Sequence, residues 1–485
     1  MHDQDDGVHQ ETRRRSWGGV RLAALLASLA LLGSGCASHL RKTQGTMDAY
    51  RAGQFEAAAA SAAAVATDHE DGNRDRLILL LEHAQSARAA GDLESSEQAA
   101  AAAEEIVTPF LDDKAEFSVG DQTLSVLLNP AAADYFGTSS ERIALCTMRA
   151  ANAIDLGKPD QARVAFNRAF RWQQDAVDKN AKRIEAAQEK LKEHGTEKQG
   201  TDPTAGSSDP SFQKAMDEKY QVVKSMTGYA DYTNPFSTHL HGVFLLTQAA
   251  PGDASKARTN FRKVQGMMGD EAGRQLLARD TALAEAAAAG RPVKPTTFVY
   301  YFTGVAPHRE EWALRIPVPI PDGNQVRVIL VAVALPDLQF NADHDESLLV
   351  KGGGQKEQTI LLADVDSIVA REFDDALPLV VTQAFVSAAI KGAGQYVLQK
   401  EGGVLGGLIG AVATAATTQA DLRTWRTLPK QVRYASLPTP GDGKVQITDG
   451  NGATLEVPVA AGKHNVIWVT SPATHSSPRV RSTVL

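Results

Sequence analysis

From Thr43 to about residue 290 the chain is rich in alanine and repeats one local pattern: an apolar helix, a short turn containing glycine, then a second helix opened by small and aromatic residues. Four instances can be read directly. Tyr50-x-x-Gly53-x-Phe55-x-x-Ala58 is the first, and His83 to Ala90 followed by Gly91-Asp92-Leu93 and Ser96 is the second. Leu145 to Leu156, Gly157-Lys158-Pro159-Asp160, then Ala162, Ala165 and Phe166 form the third; Val243 to Leu246, Gly252-Asp253, Ala257 and Phe261 form the fourth. The mechanism is local: glycine closes one helix in a left-handed conformation, Asp or Pro opens the next, and alanines let the two helices approach closely. Four helical hairpins are therefore expected. Two stretches interrupt them: 110–136, with a loop around Asn129-Pro130, and the polar segment near 193–213. The latter has the Gly, Pro and Ser content of a disordered linker. Before that segment, 166–191 reads as one long helix with Glu and Lys at i,i+4 spacings on its exposed face.

The pattern changes at Pro292-Val293-Lys294-Pro295. Apolar runs and alternations of strand type follow at 297–303, 312–317, 325–334 and 358–363, and again at 432–436, 444–448, 453–457 and 464–469. Strands this short, with turns such as Asp449-Gly450-Asn451-Gly452, predict a small β-sandwich over 296–485. A helical insertion is expected near 364–425, made of helices at 364–375, 377–400 and 405–425, the last two joined at Glu401-Gly402-Gly403. Gly402, Gly406 and Gly410 recur at i,i+4, a spacing that permits close helix contact. The apolar stretch 404–416 falls short of the roughly 20 residues that span a bilayer. A buried hairpin packed on the sandwich is the expected outcome, with membrane-surface insertion as the alternative. The fold class is thus α+β, a helical array followed by a β module.

A chain of 485 residues is long enough for two or three cores. Its formal charge of −8 is unchanged by removing residues 1–35, which hold four basic and four acidic residues. Nothing in that balance favours nucleic acid, whose binding needs a basic footprint. At the N-terminus a basic cluster, Arg13–Arg15 with Arg21, precedes an apolar run over 22–32 and the small residues Gly33-Ser34-Gly35 before Cys36. That order is an export signal over 1–35, too short for a permanent membrane helix. The segment resembles a bacterial lipobox, with Leu32 one place further from the cysteine than usual. The resemblance implies lipidation at Cys36 and, because Ser38 is not the aspartate that retains such proteins at the inner membrane, an anchor in the outer membrane facing the periplasm. Several acyl chains would hold the protein there through the N-terminal lipid. Cys146 would then be left with no cysteine to pair with.

The helical half resembles the tetratricopeptide repeat, although the turn glycines Gly53, Gly91, Gly157 and Gly252 are not spaced at that family's period of about 34 residues. Further signals lie along the chain: Tyr135-Phe136-Gly137-x-x-x-Glu141-Arg142, Asn234-Pro235-Phe236, Gly304-x-Ala306-Pro307-x-x-x-Glu311, Asp364-Val365-Asp366, and Ala420-Asp421-x-Arg423-x-Trp425-x-x-Leu428-Pro429. In this order they resemble a little-characterised family of proteobacterial outer-membrane lipoproteins with N-terminal tetratricopeptide-like repeats. That resemblance implies export, lipidation and repeats without an established activity, with a hint of envelope or cell-wall assembly. The expectation is a periplasmic scaffold or adaptor that binds a protein or peptide partner and is not an enzyme. A membrane-active or oligomer-forming lipoprotein using the Gly-rich segment 402–416 is the alternative, and self-association stays open.

Few residues carry chemistry. His239-x-His241 would point its side chains apart on a helix, and Asp343-His344-Asp345-Glu346 lacks the spacing of a calcium loop. Lys351-Gly352-Gly353-Gly354 lacks the Lys-Ser/Thr ending and following helix of a phosphate loop and reads as a flexible hairpin turn. Cys146 sits mid-helix among apolar residues and reads as a buried, inert thiol. No cofactor and no metal site is expected. Asp421, Arg423 and Trp425 form the remaining cluster, read as a charge-assisted contact ordering the insertion against the strands, with partner binding as the other use.

Overall fold

The structure is a computed structural model that describes residues 37–67, 74–111, 130–199, 202–322, 325–417 and 420–485. Cys36 lies outside the described residues, as do the side chains of 394–419.

The four expected hairpins are present. Helices α1 (Ala37–Arg51) and α2 (Phe55–Thr67), α3 (Arg76–Ala90) and α4 (Leu93–Leu111), and α5 (Ser139–Asp155) and α6 (Pro159–Gln199) form three consecutive pairs. A fourth pair, α9 (Pro235–Gln248) and α10 (Asp253–Gln265), continues into α11 (Glu271–Ala288). Gly53, Gly91, Gly157 and Gly252 all adopt positive φ, between 66° and 91°, where a Cβ is strained. The expected linker near 193–213 is instead built structure in its described part. Helix α6 continues to Gln199, and a 3₁₀ turn Ala205–Ser208 leads into α7 (Pro210–Lys219), which Asp209 caps by accepting from the Ser211 and Phe212 backbone N–H groups. Its glycines serve close packing: a Cβ on Gly195 would lie 2.5 Å from Pro203, and one on Gly206 would lie 2.3 Å from the Pro317 carbonyl oxygen. A short helix α8 (Gln221–Ser225) follows.

Among the described residues the β half contains eleven strands, three more than expected: β1 (Thr296–Thr303), β2 (His308–Asp322), β3 (Gln325–Gln339), β4 (Leu349–Gly352), β5 (Gln355–Gln358), β6 (Ile360–Asp364), β7 (Gln431–Pro438), β8 (Lys444–Thr448), β9 (Thr454–Pro458), β10 (Asn465–Ser471) and β11 (Arg479–Val484). A mixed sheet runs β11-β10-β1-β7-β6, with β1 parallel to β10 and antiparallel to β7. A second sheet runs β5-β4-β8-β9. Val299, Tyr301, Ala435, Leu437, Ile467 and Val469 of the first sheet pack on Val350, Val445, Ile447 and Val457 of the second. The opposite face, with Phe298, Tyr300, Tyr434 and Trp468, packs on α5, α6, α9, α10 and α11. The central strand β1 is thus covered on both faces, and the body is a three-layer stack of helices, sheet and sheet.

Strands β2 and β3 leave this body as a separate two-stranded ribbon of fifteen paired positions. The sequence reading ended β2 at Pro317. The strand continues because Pro317, Pro319 and Pro321 share one parity, and a proline fits an antiparallel pair where its nitrogen faces the outer edge. The helical insertion also differs from expectation: α12 (Val365–Thr417) is a single helix whose backbone runs through Glu401-Gly402-Gly403 without a break. Helical glycines cost roughly 1 kcal/mol each but end a helix only when one takes a left-handed conformation. It lies on the ribbon and α7, with Ala370, Phe373, Leu377, Phe385 and Ala389 against Ile316, Val318, Val331, Val333 and Phe212, and not on the sandwich as a hairpin.

Candidate functional site

An amphipathic cleft opens where the helical array meets the first sheet. Helix α5 supplies one wall: Ser140, Ala144, Thr147, Met148 and Ala151 fall at i, i+4, i+7, i+8 and i+11 and so form one stripe. This helix is fixed at its start by a capping box between Thr138 and Glu141. Helix α3 adds Gln85, Arg88 and Ala89; the sheet adds Phe302, Val432 and Trp468; the start of α12 adds Val365, Ile368 and Val369. The cavity is about 80 Å³, open to solvent at its mouth, and its lining is mostly apolar.

One end of the cleft is charged. Asp155, the last residue of α5, accepts from Trp468 Nε1 and Thr483 Oγ1, each at 2.7 Å, and from Arg481 Nη2 at 2.8 Å. Arg88 Nη2 lies 3.1 Å from the same carboxylate, Arg88 Nη1 donates to Asn152 Oδ1 at 2.6 Å, and the guanidinium covers the Trp468 ring at 5.0 Å. Arg481 Nη1 donates to the Arg88 carbonyl at 3.3 Å, and its buried Nε has no hydrogen-bond partner among the described residues. Burial pushes the Arg88 guanidinium down to about 10 against the pull of Asp155, and Arg481 works in the same direction as burial. Arg479 at the mouth is paired with Glu56. At the far end Glu372 accepts from the Ser139 and Ser140 backbone N–H groups at 2.6 and 3.1 Å, on the helix N-terminus where a carboxylate is stabilised. Beside it, Asp231 and Tyr232 hold positive φ of 55° and 50°, an uncommon conformation for non-glycine residues.

Of the signals read from sequence, Asn234, Phe236, Val365, Leu428 and Pro429 line the cleft, whereas the turn glycines and the cluster Asp421, Arg423 and Trp425 lie elsewhere. The four turn glycines sit at hairpin turns. Arg423 is buried and pairs with Asp421 through Nε at 2.8 Å and Nη2 at 2.9 Å; it also donates to the carbonyls of Ala133 (2.7 Å) and Pro130 (2.8 Å) and lies over the Tyr135 ring. Burial opposes its charge, but Asp421 and then Asp75 hold it above the ordinary arginine range. Trp425 is fully buried, its backbone N–H donating to Glu141 Oε1 at 2.8 Å and its indole to Thr427 at 3.1 Å. This cluster fastens a strap, residues 421–428, across α3 and α5. Its end, Leu428-Pro429, reaches the cleft wall.

Cys146 is buried, its thiol 3.6 Å from Glu104 Oε1 and pushed up to about 12 by burial. Gly353 and Gly354 form the β4–β5 turn at φ of 56° and 76°. His241 stacks on Phe166 at 4.7 Å, whereas His239, turned away from it, is fully buried between Tyr300 and Asp280. Among the described residues no group of three or more His, Cys, Asp or Glu side chains is placed to hold a metal ion. The lining residues Arg88, Arg481 and Trp468 were missed from sequence. Their signals were slight: an arginine inside an apolar helix, and alternating arginines in the last strand. No known family model matches the chain, and neither a curated protein nor a solved structure is similar to it.

Proposed function

We propose that the chain is a lipid-anchored periplasmic scaffold or adaptor of the outer membrane, held by Cys36, that captures an extended segment of a protein partner. The observation that carries this reading is the outer edge of β3. Because the proline nitrogens of β2 face outward, the partners of Pro317, Pro319 and Pro321, which are Leu330, Val328 and Val326, turn their own N–H groups to the opposite outer edge. No described strand pairs with that edge. Val326, Val328 and Leu330 are 59%, 66% and 67% exposed, an unusual run of bare apolar side chains. The other edge is blocked, since the prolines offer no donor and the turn at Gly206 sits against the Pro317 carbonyl. Lower down, Tyr220 closes the β3 edge by donating to the Pro336 carbonyl at 2.8 Å. Within the ribbon, this edge of β3 is therefore left able to accept an added strand, the means by which sheet edges take extended peptides. The tetratricopeptide-like reading of the helical array belongs to the same proposal, with the four glycine-turn hairpins as its support.

A photo-crosslinking residue at Leu330, in intact cells, should capture an envelope protein. Val328→Pro should abolish capture while leaving the ribbon folded, because it removes an outward N–H. Capture that persists in Val328→Pro, or that is indifferent to Cys36→Ala, would refute the reading.

A second reading is favoured by α12, whose segment Val365–Ala393 is long and apolar enough to cross a membrane by length and composition. In that reading α12, with the Gly-rich segment 402–416, inserts into a bilayer or joins copies. Liposome binding by lipid-free protein, abolished by Gly406→Glu, would favour it.

A further inference from the structure

We propose that the cleft between α5 and the first sheet is a binding site for a single-chain anionic amphiphile, a fatty acid or a lipid of one acyl chain, with its head at Arg481 and Arg88 and its chain along α5. Nothing in the adaptor reading requires this site, which lies on a different part of the molecule from β3.

Three observations converge. The first is charge. At the charged end two guanidiniums, Arg88 and Arg481, face one carboxylate, Asp155, and the outer pair Arg479–Glu56 is balanced within itself. One positive charge is left over at the rim of an apolar void, where an uncompensated charge is costly and an anion is stabilised. The second is access: Arg481 lines the cleft and its side chain is 25% exposed, so its guanidinium, a planar fork that suits a carboxylate or phosphate oxygen, can be reached from the void. The third is shape. The α5 stripe from Ser140 to Ala151 spans twelve residues, about 16 Å at the helical rise, and the small Ala144 and Ala151 leave its surface recessed. Ile368, Val369, Leu428 and Val432 continue the apolar lining away from the arginines. A long, narrow, apolar channel with one cationic end selects a ligand with one anionic end and one apolar chain.

The test is calorimetric titration of the purified full chain, carrying Cys36→Ser to exclude its own acyl groups, with hexadecanoate, hexadecanol, a single-chain phosphatidylglycerol and an apolar peptide ending in a free carboxylate. Hexadecanoate is expected to bind at least tenfold more tightly than hexadecanol. Arg481→Gln should bring that ratio toward one by removing the surplus charge while keeping a donor to Asp155. Ala144→Phe, on the recessed wall, should abolish binding of both; should it disturb folding by circular dichroism, Ala151→Met serves as the milder block. Preference for the free acid over the single-chain phospholipid, or the reverse, identifies the source of the head group. Equal binding of hexadecanol and hexadecanoate, binding untouched by both the charge and the wall variants, or tighter binding of the peptide would overturn the proposal. Because Arg481→Gln and Ala144→Phe leave β3 intact, crosslinking at Leu330 in chains that keep Cys36 reports on the adaptor reading independently.

Discussion

The carboxylate of Glu82, in the middle of α3, accepts the backbone N–H groups of Arg426 and Thr427 at 2.8 and 3.2 Å, contacts between groups 344 and 345 positions apart in sequence. The Thr427 hydroxyl adds a third bond at 2.5 Å. Glu82 is 1% exposed, and burial raises its carboxyl above the ordinary range while these donors pull it down. Glu141 on α5 does the same work for the Trp425 N–H. Two buried glutamates on neighbouring helices thus hold the strap that returns the chain from α12 to β7. Glu82→Ala leaves two backbone donors without partners, and each unmet buried donor costs about 1–3 kcal/mol. The variant should unfold at markedly lower urea, and limited proteolysis should cut first within 420–428. Resistance of that segment to cleavage would mean that the strap is held by other contacts.

Arg423 tests the same junction from the strap side. Its planar fork serves Asp421 in a bidentate contact and two carbonyls at once, which a lysine ammonium cannot do from one position. Arg423→Lys is expected to cost about 2–4 kcal/mol, most of it from buried oxygens left without donors. Thermal unfolding followed by circular dichroism measures it. A loss within experimental error would show that the charge alone matters.

Burial pushes the His241 imidazole down to about 4 from 6.5, with Arg163 adding to the effect, and burial brings His39 to about 4 as well. The folded state therefore holds these rings neutral while the unfolded chain binds protons below about pH 6.5. Between pH 6.5 and pH 4 the unfolded state carries more protons, so stability rises with pH across that window and is lost as pH falls through it. Each ring is worth up to about 3 kcal/mol by this count. His241→Phe keeps the stack on Phe166 and should flatten the slope by about one proton, read from denaturant midpoints at a series of pH values. An unchanged slope would mean that His241 is already neutral-favouring in the unfolded chain.

What could be read from sequence follows the range of the interactions. The hairpins were legible because each is set within a dozen residues by a glycine at positive φ, in all but the first with an Asp or Pro close by, as at Gly157-Lys158-Pro159-Asp160. Strands β1, β8 and β10 were legible for the same reason of local pattern. Where a position is decided by a distant neighbour, local pattern misled. Pro317, Pro319 and Pro321 read as the end of a strand, yet they lie inside one whose outer edge has no use for their N–H groups. Gly402 and Gly403 read as a turn and are helical. The cleft was invisible because Arg88, Asp155 and Arg481 come together only when β11 is laid beside β10, and no spacing within α3, α5 or β11 announces that meeting.

Gly242 is helical and has an ordinary φ, so its role is spatial. A Cβ there would meet the Phe261 ring of α10 at 2.6 Å. Phe261 is fully buried between α9 and α10 and cannot turn away without emptying the core it fills. Gly242→Ala would gain about 1 kcal/mol in helix propensity but should still destabilise the protein, because relieving the overlap costs about 1–3 kcal/mol of backbone shift or off-rotamer strain. Pairing it with Phe261→Leu should recover part of the loss, and a double-mutant cycle on the urea midpoints would show the coupling. Additive effects would place the two residues out of contact.

Asp280 decides what the buried histidine is for. Its carboxylate accepts from Tyr434 Oη at 2.7 Å and Ser436 Oγ at 3.1 Å, and His239 Nε2 lies 3.2 Å away while His239 Nδ1 meets Tyr300 Oη at 2.8 Å. A histidine, an aspartate and two tyrosines in one network have the composition of a proton relay, but Asp280, His239, Tyr300 and Tyr434 are all fully buried, and none lines the cleft. A substrate cannot reach them. Their geometry instead ties α9 and α11 to β1 and β7 through one acceptor. Asp280→Ala strands three buried donors and should cost about 3–5 kcal/mol, whereas Asp280→Asn keeps the shape and one acceptor oxygen and should cost less. Both variants that remain folded should bind hexadecanoate as the parent chain does. A binding defect in folded Asp280→Asn, with unchanged urea stability, would instead make this network part of the cleft's working parts.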